Sequence, residues 1–106
     1  VNYDTVLPIT MDEIEPYLGR VFNLQNTELA VELKLLEIED TTKGRIWPKS
    51  LPKPFIMIFA GPPERIVLEG LRILKAPDGT IYQFHLIPIM THDPMTTGQQ
   101  YQVVIN

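Results

Sequence analysis

Apolar and polar residues alternate with a period of two over the clearest run of the chain, Glu28 to Ile38 (ELAVELKLLEI). Leu29, Val31, Leu33 and Leu35 fall on one side of an extended backbone, with Glu28, Glu32 and Lys34 on the other. The parity then slips, because Leu36 and Ile38 continue the apolar series one position out of phase. A strand keeps facing a core across such a slip only by twisting hard or by inserting a bulge. The pattern therefore predicts a long strand over Glu28 to Glu39 in a small, curved antiparallel domain. Ile81 to Ile89 alternates in the same way, Tyr82, Phe84 and Leu86 opposing Ile81, Gln83, His85 and Ile87. In Gln100 to Asn106, Tyr101, Val103 and Ile105 face one way and Val104 the other. Phe55 to Ala60 is apolar on both faces, as in a strand that is central or covered on both sides.

Turn and cap residues divide these runs. Thr10-Met11-Asp12-Glu13 fits a capping box, the Glu13 amide donating to Thr10 and the Glu13 carboxylate reaching back to the Thr10 amide. A short helix over Met11 to Tyr17 follows, limited by Pro16 and ended by Gly19. It suits a plug over one end of the sheet. Arg20 to Leu24 reads as a first strand. Asp40 to Pro54 is charged and interrupted by Gly44, Pro48, Pro52 and Pro54. Gly61-Pro62-Pro63 stops the Phe55 strand, and Glu64 to Leu68 and Leu71 to Lys75 are short strand candidates beyond it. Ala76-Pro77-Asp78-Gly79 has Pro and Gly where a type I turn needs them, joining Leu71–Lys75 to Ile81–Ile89 as a hairpin. Thr91 to Gln99 reads as a polar loop. The expected fold is mainly β: a small antiparallel barrel or two-layer sandwich with one short N-terminal helix. Residues 1–106 form a single domain with a proline-rich loop at about 41–54, and Leu33, Phe59, Phe84 and Val103 are expected in the core.

Composition narrows the chemistry. The 106 residues suit one domain, and 44% of them are hydrophobic, enough for a core without staples. The absence of Cys excludes thiol catalysis, disulfides and cysteine zinc sites. With 9 Lys+Arg against 13 Asp+Glu the formal charge is -4, which lacks the positive footprint of phosphate-backbone binding. No nucleic-acid partner is expected. The longest apolar stretches fall far short of a roughly 20-residue membrane span, and no basic and apolar leader opens the chain. No membrane partner and no retained signal peptide are expected.

Candidate catalytic groups do not cluster in the sequence. Only His85 and His92 are present, without zinc-motif spacing. His85 reads as a sheet-surface residue, and His92 beside Asp93 seldom places both side chains on one ligand. Asp12, Glu13 and Glu15 suit a helix N-terminus on dipole grounds, and Glu37, Glu39 and Asp40 show no calcium-loop spacing. Gly61-Pro62-Pro63 lacks the successive amides of a phosphate cradle. No catalytic residue, metal or cofactor is assigned.

Four segments carry a resemblance: Tyr17 to Leu24 (YLGRVFNL), Phe55 to Pro62 (FIMIFAGP), Phe84 to Pro88 (FHLIP) and Tyr101 to Asn106 (YQVVIN). Together they resemble domain-of-unknown-function family 6916, a small bacterial and phage domain. Gly19, Phe22 and Leu24 match its G-x-x-F-x-L element; Phe55, Phe59, Gly61 and Pro62 match its F-x-x-x-F-x-G-P element. Glu69-Gly70 stands where Gln-Gly is usual, and Ile105 replaces the usual Phe before Asn106. The resemblance spans Asp12 to Asn106 and implies a compact all-β domain without an established activity. It also implies a neighbourhood of phage-tail or tail-collar-like proteins, which is association rather than physics.

Two functions are weighed. The first is a noncatalytic structural or protein-interaction module of a phage particle (tail, collar or neck) or related assembly. Its contacts would be Ile46, Trp47 and Leu51, its partners other structural proteins or a homo-oligomer. Its location would be the virion if phage-encoded and the cytoplasm otherwise. The second is a small-ligand or carbohydrate-binding module with weak hydrolytic activity as an option, built on Trp47, Tyr82, His92, Asp93 and Tyr101. Convergence of an aromatic face with Asp93 or His92 in an open groove would favour the second.

Overall fold

The computed structural model describes residues 9–28, 30–51, 53–91, 93 and 98–105. Its elements are a helix α1 (Met11–Ile14), continued by a 3-10 turn (Glu15–Tyr17), and strands β1 (Val21–Leu24), β2 (Glu32–Asp40), β3 (Phe55–Gly61), β4 (Gly70–Lys75), β5 (Ile81–Ile89) and β6 (Gln99–Ile105). The strands close into an antiparallel barrel in the order β1-β2-β3-β6-β5-β4. Two three-stranded meanders, β1-β2-β3 and β4-β5-β6, are thus joined along β3–β6 and β4–β1.

The parity slip in β2 is a bulge. Leu35 pairs with Phe59 and Glu37 with Ile58, so Leu36 is the extra residue. Leu33 and Leu35 are buried before it, Leu36 lies outside, and Ile38 packs against the core after it. The bend lets one strand serve a closed wall. The strand begins at Glu32, later than its expected start at Glu28, and Leu29 lies outside the described residues.

Inward positions meet as a chain of rings. Phe22 packs edge-on against Tyr17 and Phe59 with centroids 5.3 Å apart, Phe59 approaches Phe84 at 6.2 Å, and Tyr82 stacks on Phe84 at 5.3 Å. Leu33, Phe59, Phe84 and Val103 are all buried, as expected from their parity. The interior is side chain.

The helix covers the upper end, where β4 finishes and β5 begins. Thr10 accepts from the Glu13 amide (3.2 Å). The Glu13 carboxylate accepts from Tyr82 Oη (2.8 Å), and Tyr17 Oη donates to Asp78 (2.8 Å), tying the plug to the β4–β5 hairpin. Gly19, at φ +80, turns the chain into β1, and its amide donates to the Leu35 carbonyl. In the hairpin, the Gly79 amide donates to the Ala76 carbonyl (2.9 Å), with Gly79 at φ +93.

Glu64–Leu68 is not a strand, contrary to the sequence expectation. Topology supplies the reason. β3 and β4 stand opposite each other in the six-strand order, so residues 62–69 must cross the lower end of the barrel. Pro62 and Pro63 lack ladder donors, and Val67 donates its amide to the Tyr101 side-chain hydroxyl (2.8 Å) rather than to the backbone of a strand. The Val67 side chain is buried and plugs that end.

Candidate interaction surfaces

The 41–54 loop rises from the upper end of β2. Thr42 folds back at once: its hydroxyl and amide donate to Asp40 Oδ1 at 2.6 and 2.8 Å. Those bonds hold the Asp40 carboxyl below its ordinary range. Lys43 and Gly44 are left-handed, at φ 53 and 80, and Arg45 returns its amide and Nε to the Thr42 carbonyl. The loop therefore leaves the barrel through a hydrogen-bonded turn. Ile46 is 100% exposed, Leu51 is 54% exposed and Trp47 is half-buried. Leu51 also borders a groove of ≈ 420 Å³ between Lys49, Ser50 and Lys53 of the loop and Thr10 to Asp12 of the helix start.

Among the described residues, Trp47, Tyr82, Asp93 and Tyr101 of the ligand-binding set do not come together in one groove. Tyr82 and Tyr101 are buried, with ring and hydroxyl committed to the core and to the two end plugs. Burial raises the pKa of both phenols, helped at Tyr82 by the bond to Glu13 and opposed at Tyr101 by the Val67 amide. Asp93 is exposed in the lower β5–β6 connection, at the end of the barrel opposite Trp47. His92 lies outside the described residues. Alternation sends Tyr82 and Tyr101 inward, a consequence that composition alone does not reveal. His85 stands on the outer wall, 3.5 Å from Glu69 and with both side chains well exposed. Among the described residues no group of three or more His, Asp or Glu could hold a metal ion, and no helix is long and apolar enough to cross a membrane.

A surface that sequence reading missed lies at the lower end. Ile66, Leu68 and Leu71 are 60%, 72% and 64% exposed. They border a groove of ≈ 390 Å³ between the crossing segment, the β1–β2 turn and β4. Among the described residues its walls include Arg65 and Arg72 but no carboxylate, in a chain of net charge -4. Arg72 is fastened, donating from Nε and a terminal nitrogen to the Leu68 carbonyl at 3.2 and 2.8 Å. Reading Glu64–Leu68 as a strand concealed this surface, because it gave Ile66 and Leu68 a sheet face to pack on.

A family model described as a domain of unknown function (DUF6916) matches residues 9–105. No curated protein and no solved structure matches the chain.

Proposed function

Because the chain belongs to that family, whose description names no activity, we propose its function from its surface: a noncatalytic protein-interaction module that works within a larger assembly. The observation that carries this reading is where the apolar side chains are. The barrel interior is packed with rings, while Ile46 and Leu51 project from an upper loop that a hydrogen-bonded turn orients. Large apolar groups held outside a core that needs no further cover gain most from a partner. Trp47, half-buried, would anchor the loop at the interface edge. A phage particle, at its tail, collar or neck, is the assembly suggested by the family resemblance alone; the surface argument concerns partner contact and stands without it.

The test uses affinity capture of the full chain from its native source, followed by binding measurements on Ile46→Asp and Leu51→Asp. Both sites are exposed, so we expect unfolding midpoints close to that of the parent chain. Capture should weaken by about 2 kcal/mol or more, the scale of an interface hot spot. Unchanged affinity for the captured partner would reject the loop as the interface.

A further inference from the structure

Closure of the barrel is complete only at the upper end of the β1–β4 seam. β1 has four residues, and its register with β4 covers Asn23–Lys75 and Leu24–Leu74, followed by a bond from the Gln25 amide to the Ile73 carbonyl (2.8 Å). β4 pairs with β5 along all of Gly70 to Lys75. Among the described residues, therefore, β4 has a paired strand on one side only below Ile73. In an antiparallel strand, residues two apart aim their N–H and C=O to the same side. Since the Ile73 carbonyl aims at β1, the Leu71 N–H and C=O aim at the same seam, beyond the end of β1, where among the described residues no backbone group of β1 meets them. An unpaired edge is a template for another strand.

From this edge, its apolar flank and the charge of the groove, we propose that the lower seam takes up a short, extended, acidic segment of a partner protein as an added strand. The segment would continue the line of β1. Its backbone would bond the Leu71 N–H and C=O, its apolar side chains would cover Leu71 and Leu68, and a carboxylate would meet Arg65. Among the described residues the Arg65 guanidinium has no ion-pair partner, and the described lining of this groove has two arginines and no acid, Glu32 and Glu64 bordering the neighbouring groove that Arg65 also lines. An acidic occupant is favoured for that reason, and a basic one is opposed. The proposal deepens the interaction-module reading but uses the opposite end of the barrel from Ile46 and Leu51, so the two can fail separately.

The test is a nuclear magnetic resonance titration of the full chain with two probes, acetyl-Thr-Val-Glu-Val-Glu-Val-amide and the peptide with Lys in place of each Glu. In the free protein the Leu71 amide should exchange rapidly with solvent. The acidic peptide should shift the amides of residues 70–73 and slow that exchange, while the basic peptide should bind about tenfold more weakly or worse. Arg65→Glu should reverse the preference without touching the strand. Leu71→Pro should abolish binding of the acidic peptide with little change in unfolding midpoint, because the lost N–H is unpaired. Equal binding of both peptides, no shift at millimolar acidic peptide, or a slowly exchanging Leu71 amide in the free monomer would each overturn the proposal. So would self-association abolished by Arg65→Glu, which would make a second copy the occupant.

Discussion

Single side chains carry much of this fold because the wall is one residue thick. Phe59 is fully buried between Phe22 and Phe84. Phe59→Ala should cost about 3–5 kcal/mol, read from denaturant unfolding; a loss under about 1 kcal/mol would contradict its place in the ring chain. Tyr82 and Tyr101 make a second expectation. The folded state raises both phenol pKa values, with burial the largest cause, while unfolded phenols titrate near 10. Stability from keeping them neutral is fully present below about pH 10. It is lost as pH rises from there toward the folded values, since the unfolded chain then releases protons that the native chain retains. The urea midpoint should therefore hold from pH 7 to 9 and fall steeply above 10, and Tyr82→Phe should blunt that fall. His92 belongs to neither argument, being outside the described residues.

Among the elements, β2 shows how a sequence irregularity becomes shape. Leu35 and Leu36 are adjacent and chemically identical, but the bulge buries the first and turns the second outward. Leu35→Ala should cost about 2–5 kcal/mol and Leu36→Ala less than about 1 kcal/mol, both measured by chemical denaturation. Equal losses would mean that the strand runs without the bulge. The alternation that placed Leu33 and Leu35 was legible because inward and outward residues differ in polarity. Residues 64–68 were illegible by the same test: Ile66, Val67 and Leu68 are all apolar, yet only Val67 is buried. Local propensity favours a strand there, and the need to cross the barrel end overrides it.

Across the whole molecule, closure depends on pairings between distant segments. β3 meets β6 along seven residue pairs, Phe55–Ile105 to Gly61–Gln99. Such non-local ladders must pay loop-closure entropy before they are rewarded, so refolding after dilution from denaturant should take milliseconds to seconds. A microsecond relaxation for the full amplitude would contradict this barrel. The same topology separates the two candidate surfaces, with the Ile46 loop at one end and the Arg65–Leu71 groove at the other. A partner bridging both ends would have to run the length of the wall. Two different partners could each take one.

The sequence by itself determined the strand periods outside residues 64–68, the break of parity in β2, the Thr10 helix cap, the Ala76–Gly79 turn and the mainly β class, because each rests on contacts a few residues apart or on a simple alternation of polarity. That the break is a bulge rather than a hard twist follows from the β2–β3 pairing. It also singled out Ile46, Trp47 and Leu51 as the apolar members of a charged loop. Tertiary structure alone decided that Tyr82 and Tyr101 serve the core and plugs, that Trp47 and Asp93 stand at opposite ends, and that the 62–69 segment crosses the barrel. It also decided that β4 outruns β1 and leaves the Leu71 edge open. These depend on which strands become neighbours, and strand order follows from the closure of the barrel as a whole rather than from any local run of residues.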